Sequence, residues 1–291
     1  MAIIVYLVVF VDIRTKHFMD NIILVIEGSS INIDLVRFAC YIGELNSSEI
    51  TAAFIKDTIS AETSIENQTD SLRFDEKMAF RKSGEDEDND RTLDRNVEIL
   101  KEECSKKGIK IRLTFKTYKE LIDESRFADL IIADPRFRRE EEIPSRQTRN
   151  ILELSECPVL LAPEHYTEIT EIVHCYDGSR GSVFAIKLFT YLFPNLLDLR
   201  CILLQVDKEP EWNVENQKEM QRWLKGHYSQ AAFNVVQGNV EEQLYNYLEE
   251  RQGSLVTMGA YGRSSVSLML KESHANGLLR SLNNPIFISH S

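Results

Sequence analysis

Three landmarks recur along this chain, and their spacing points to a duplicated unit. Ile22-Ile-Leu-Val-Ile-Glu-Gly-Ser-Ser30 is echoed by Ile172-Val-His-Cys-Tyr-Asp-Gly-Ser-Arg180, with Gly28 and Gly178 separated by 150 positions. Ala128-Asp-Leu-Ile-Ile-Ala-Asp134 matches Gly253-Ser-Leu-Val-Thr-Met-Gly259 at an offset of 125, and Cys157-Pro-Val-Leu-Leu-Ala162 matches Asn284-Pro-Ile-Phe-Ile-Ser289 at 127. The first copy therefore carries roughly 25 more residues between its early and late landmarks, the difference between those offsets. A period of this size means two related domains, because solenoid repeats run only about 20 to 50 residues. A length of 291 residues agrees with two units, each long enough to bury its own core.

Short apolar runs alternate with amphipathic stretches in both copies, which is the pattern of a parallel sheet with helical crossovers. In the first copy strands are predicted over 21–26, 50–55, 109–115, 128–133 and 159–162. A helix is expected over 32–42, with Leu35, Val36, Phe38, Ala39 and Ile42 facing inward. Between the second and third strands lies a polar stretch, Ser60 to Asp90, ending in Glu85-Asp-Glu-Asp-Asn-Asp90. It reads as a solvated, mobile loop ahead of a helix over 93–106, and its carboxylates lack EF-hand spacing. In the second copy strands are expected over 171–176, 201–206, 232–236, 255–258 and 285–289. Helices fill the intervals, one on the face of Val183, Phe184, Ile186, Leu188, Phe189 and Leu192, others over 214–228, 240–250 and 273–282. Ala2 to Val11 is apolar but shorter than the roughly 20 residues of a membrane span, and it lacks the positive start and cleavage site of a secretory signal. We divide the chain into an extension over 1–18, a first domain over 19–166 and a second over 167–291.

Charge narrows the function classes. A formal net charge of -12 opposes nucleic acid and anionic membrane surfaces as partners. The five cysteines form no C-x-x-C pair and read as small buried hydrophobes of a reducing compartment. His174 and Cys175 are neighbours on a strand, so they face opposite ways and one ion cannot easily use both; no metal site is expected.

The chemistry concentrates at Met258-Gly-Ala-Tyr-Gly-Arg-Ser264, where an apolar strand runs into two glycines three apart. Such a turn at the carboxyl edge of a parallel sheet brings backbone N–H groups close to an anion. With Asp177-Gly178-Ser179 closing the first strand of that copy, and Pro-Ile-Phe-Ile after the last helix, the chain resembles a tandem universal stress protein of the UspA type. The resemblance spans 21–291 and is stronger in the second copy. It implies two Rossmann-like, adenine nucleotide alpha-hydrolase-like α/β domains, each a five-stranded parallel sheet flanked by helices. Their last strands would pair across a two-fold into an internal pseudo-dimer, with a homodimer as a further possibility.

Many family members bind ATP through Gly, two residues, Gly, nine residues, then Gly with Ser or Thr. Gly259 and Gly262 fill the first two places, while Glu272 stands in the third, followed by Ser273. The resemblance sets Asp177, Gly178 and Ser179 at the adenosine half, Val206 against the base, and Gly259, Gly262, Arg263, Ser264 and Ser273 around ribose and phosphates. Glu272 opposes a triphosphate by charge and bulk. Structurally, the same residues serve as helix caps and turn formers. In the first copy Asp134-Pro-Arg-Phe137 replaces the glycine turn, with Arg136, Arg138 and Arg139 followed by Glu140 to Glu142, and reads as a charged loop without a nucleotide site. No Walker lysine, nucleophile elbow or triad is present, so no catalytic residue is assigned. The expected function is a non-catalytic cytoplasmic stress-response protein binding an adenine nucleotide in its second domain. An adenine-nucleotide hydrolase of the same fold and a pure interaction module with vestigial pockets are the alternatives.

Overall fold

The structure, a computed structural model, describes residues 19–27, 31–55, 87–135, 146–207, 214–259 and 283–289. The expected extension over 1–18, most of the acidic stretch and the helix over 273–282 lie outside the described residues.

Two copies of one topology build a single sheet. The first contributes β1 (Asn21–Glu27), β2 (Glu49–Ile55), β3 (Ile111–Lys116), β4 (Leu130–Ala133) and β5 (Val159–Leu161). The second contributes β6 (Glu171–Cys175), β7 (Arg200–Asp207), β8 (Gln230–Gln237), β9 (Ser254–Gly259) and β10 (Ile286–Ser289). Their order is β3-β2-β1-β4-β5-β10-β9-β6-β7-β8, so each half has the 3-2-1-4-5 arrangement and the halves mirror one another. All pairings within a half are parallel; β5 and β10 alone run antiparallel, with Ile286 opposite Leu161, Phe287 opposite Leu160 and Ile288 opposite Val159. The two five-stranded sheets expected from the sequence are thus fused through their last strands. That junction removes two apolar edges that would otherwise offer unpaired backbone groups to other chains.

Helices cover both faces because right-handed crossovers in opposite directions land on opposite sides. On one face lie α1 (Ile33–Asn46), α2 (Glu87–Lys106), α5 (Arg180–Leu192) and α6 (Val214–Lys225); on the other α3 (Tyr118–Ser125), α4 (Arg146–Leu154) and α7 (Val240–Glu249). Leu35, Val36, Phe38, Ala39 and Ile42 of α1 are all buried, as their spacing predicts. The core runs unbroken across the junction: Phe287 of β10 packs against Phe189 at 5.4 Å and Phe193 at 6.1 Å, in the same cluster as Leu160 and Ile22. Phe189 and Phe193 stack on each other at 4.7 Å, so aromatic packing anchors α5 over the central strands.

The third strand begins at Ile111, two residues later than the hydrophobic run suggests, because Ile109 closes the turn after α2 through its N–H to the Cys104 carbonyl. Helix α2 begins at Glu87, ahead of the expected 93. All five thiols are free; Cys40 and Cys104 meet across the α1–α2 contact with sulfurs 3.1 Å apart. No helix among the described residues is long and apolar enough to cross a membrane.

Candidate functional site

In the second half the strand order reverses between β6 and β9. Ligands of open α/β sheets bind in the crevice at that reversal. The register aligns the predicted residues on this edge. Cys175 pairs with Leu204, so Asp177 stands level with Val206; His174 pairs with Thr257, so Tyr176 stands level with Gly259. With strands roughly 4.8 Å apart, Asp177, Val206 and Gly259 sit on neighbouring strand ends.

The turn after β6 is built from its own polar groups. Asp177 Oδ1 accepts from the Ser179 N–H at 2.9 Å, and Ser179 Oγ accepts from the Ser182 N–H at 3.2 Å as the cap of α5. Gly178 between them has φ +75°, a left-handed conformation that costs other residues about 1–2 kcal/mol. Asp177 and Ser179 therefore serve as turn former and cap while standing where the predicted adenosine contact would be. Val206 is half-buried and packs with Val236, Cys175 and the cluster beneath α7, so its side chain lies on the face opposite α5.

Gly259 is needed for close approach. A Cβ on it would fall 2.5 Å from the Gly181 carbonyl carbon, 2.7 Å from the Gly181 oxygen and 2.8 Å from the Ser182 nitrogen. The end of β9 thus touches the first turn of α5, backbone to backbone. That contact brings the last β9 peptide to the end of a helix whose first N–H groups lack intrahelical partners. Sequence reasoning names Gly259 for its turn but misses Gly181, the position it touches; two glycines 78 residues apart carry no local signal of contact. Gly262, Arg263, Ser264, Glu272 and Ser273 lie outside the described residues.

The equivalent helix start in the first half is built differently. Its helix α1 starts from Asn32 rather than directly after Gly28, and Asn32 Oδ1 accepts from the N–H groups of Asp34 at 3.0 Å and Leu35 at 3.4 Å. The Asn32 amide in turn donates to Asp134 Oδ2 at 2.8 Å. A carboxylate of the chain thus meets the capping side chain of α1. Thr148 of α4 donates to the Asp134 carbonyl at 3.0 Å, which ties the turn down further. Arg136, Phe137, Arg138, Arg139 and Glu140 to Glu142 lie outside the described residues. Asn32→Ala removes both the cap and the Asp134 contact, and is expected to cost about 1.5 kcal/mol by urea denaturation.

Behind the second-half edge lies a buried polar chain. His174 Nδ1 is 2.6 Å from Thr257 Oγ1, and Nε2 is 2.9 Å from the Tyr228 hydroxyl. That hydroxyl is 3.0 Å from Thr190 Oγ1, which donates to the Ile186 carbonyl at 2.8 Å. Since Thr190 spends its only proton on the carbonyl, Tyr228 must donate to Thr190 and accept from His174. The tautomer follows: Nε2 carries the proton and Nδ1 accepts from Thr257. Burial pushes the imidazole down to about 3, so it is neutral and committed at both nitrogens. Cys175 faces the other cluster, and burial, with the Asp177 charge, pushes its thiol up to about 12. Among the described residues no group of three or more His, Cys, Asp or Glu is placed to hold a metal ion.

No protein-family model and no curated protein matches the sequence. Solved structures do match it. A universal stress protein from Archaeoglobus fulgidus DSM 4304 superposes with a TM-score of 0.67 at 12% identity, covering 92% of this chain and 98% of that one. A candidate universal stress protein from Pseudomonas aeruginosa UCBPP-PA14 gives 0.59 at 13% identity, over 94% and 93%. A functionally unknown protein from Pseudomonas aeruginosa PAO1 gives 0.58 at 13%, over 94% and 92%. At such identities the likeness establishes a shared fold along nearly the full length of each chain.

Proposed function

We infer that this chain, which has the fold of the universal stress proteins, is a tandem member of that family that binds an adenine nucleotide in its second half without turning it over. The observation that carries the reading is the asymmetry between the two helix ends. In the first half the Asp134 carboxylate is bonded to Asn32, the cap of α1. In the second, Gly259 and Gly181 meet without side chains, and the turn Asp177-Gly178-Ser179 stands beside them at the sheet's reversal point. A duplicated fold that closes one edge with its own carboxylate and keeps glycines at the other is suited to one ligand, at the second.

The absence of turnover is read from the nearest candidate groups. His174 has both ring nitrogens engaged inside the core, and the Cys175 thiol is held protonated by burial. Neither is available as a base or nucleophile at neutral pH. ATP is the nucleotide the glycine pattern suggests, and Glu272 favours a ligand with fewer phosphates, such as AMP. We place the protein in the cytoplasm on the reducing character of its unpaired thiols.

Native mass spectrometry of protein purified from cells is expected to find one adenine nucleotide per chain. Asp177→Asn keeps an oxygen for the Ser179 N–H but removes the charge; it is expected to weaken titrated nucleotide about tenfold, the value of one charge-assisted hydrogen bond. A clean apo protein that takes up neither ATP nor AMP in calorimetry overturns the binding reading and favours an assembly module. Steady-state ATP hydrolysis that disappears in Gly262→Val overturns the non-catalytic one.

A further inference from the structure

The face of α5 turned away from the sheet does not read as an ordinary solvated helix surface. Arg180, Val183, Phe184 and Lys187 follow one another at i, i+3, i+4 and i+7, so two cations bracket an apolar pair on one stripe. Phe184 is 42% exposed, whereas Phe189 of the same helix is fully buried. The stripe faces Met220 and Trp223 of α6 across a groove of about 630 Å³, with Tyr176 at its base. That volume lies in the range of about 300–1,000 Å³ found for small-molecule sites.

The far wall is held in place. Trp223 stacks on His227 at 3.9 Å with 25° between the rings, and Tyr191 meets it edge-on at 6.1 Å. The ring of His227 is fixed in turn by Nδ1, 2.8 Å from the Trp223 carbonyl. An aromatic wall fixed before binding loses little rotamer freedom on contact.

Charge selects the occupant. Arg222 is neutralised by Glu219, with contacts of 2.9 and 3.1 Å, but Arg180 and Lys187 have no ion-pair partner among the described residues. Two uncompensated cations beside an apolar slot stand out on a chain of net charge -12. Apolar walls suit a hydrocarbon or aryl body rather than a polyphosphate. We propose that the α5–α6 groove binds a small amphipathic anion, its apolar body between Phe184 and Trp223 and its acid group on Lys187 or Arg180. The groove shares Gly178 and Ser179 with the turn assigned to the nucleotide, but its body lies on the α5 side of the sheet, whereas Val206 packs on the other.

Decanoate titrated into the full chain by calorimetry is expected to bind at one saturable site, and decylamine, with the same tail and opposite charge, at least tenfold more weakly. Lys187→Glu is exposed and should fold normally; it is expected to weaken decanoate at least tenfold and to strengthen decylamine. Phe184→Ala is expected to weaken decanoate by a similar factor while leaving ATP titration unchanged. Equal affinity for the two tails, no decanoate uptake at millimolar concentration, or unchanged affinity in both variants overturns the proposal. So does competitive displacement of decanoate by ATP, which would merge this groove with the carboxyl-edge site.

Discussion

Gly259→Ala is expected to destabilise the second half by about 3 kcal/mol, far more than alanine at a surface turn. The added methyl would lie 2.5 Å from a backbone carbon of Gly181, inside any real contact distance. No rotamer relieves it, since the neighbours are backbone atoms of the α5 first turn. Helix and strand must separate, and the Phe189 and Phe193 packing over β10 would be disturbed with them. Gly178→Ala makes the control. Its Cβ would meet nothing within 4 Å, so only the left-handed backbone is penalised, at about 1 kcal/mol. Urea denaturation of both variants separates the two costs. A Gly259→Ala protein within about 0.5 kcal/mol of the parent would show that β9 and α5 do not touch as described.

The two glycines mark where sequence reading succeeds and where it stops. Gly178 is legible because its surroundings are local: Asp before it, Ser after it and a helical stripe beyond spell a capped helix start. The close approach at Gly259 is not, because its reason is a residue in another element. The strands follow the same division. β4 and β9, buried on both faces, read as continuous apolar runs, whereas the partly exposed β3 and β8 blur at their ends. Helix α3 has no counterpart among the expected elements, although Thr117 and Glu120 form a capping box that the pattern T-x-x-E spells out. Helix α4 has none either, since the charged sequence before it obscures its start. The Asn32–Asp134 bond spans 102 positions, and nothing local to either residue announces it. The sequence reading expects no nucleotide site in the first copy because of Pro135 and Phe137; the bond found at that helix end is made by Asp134.

The polar chain in the core makes stability depend on pH through one residue. Burial lowers His174 to about 3, whereas an unfolded histidine titrates near 6.5. Between those values the unfolded chain binds a proton that the native chain refuses, so stability is whole above about pH 6.5 and falls as the solution is acidified. At pH 5 the loss from this group alone is about 2 kcal/mol. The hydrogen-bond directions explain why the fold does not simply accept the proton. Along the Thr257–His174–Tyr228–Thr190 chain each member donates to the next, ending on the Ile186 carbonyl. A proton on Nδ1 turns the imidazole into a double donor, and Thr257 must reverse within a packed interior that gives the charge no counter-ion. His174→Gln removes the titration while keeping a donor and an acceptor at the site. The variant is expected to be less stable than the parent at pH 7, because an amide does not reproduce the ring's reach or its packing on Phe189. Its advantage appears in acid: the gap between the two proteins should narrow by about 2 kcal/mol from pH 7 to pH 5 in urea titrations. Parallel stability profiles over that interval would mean that the imidazole takes its proton in the native state, and that the core around it is wetter than its hydrogen bonds indicate.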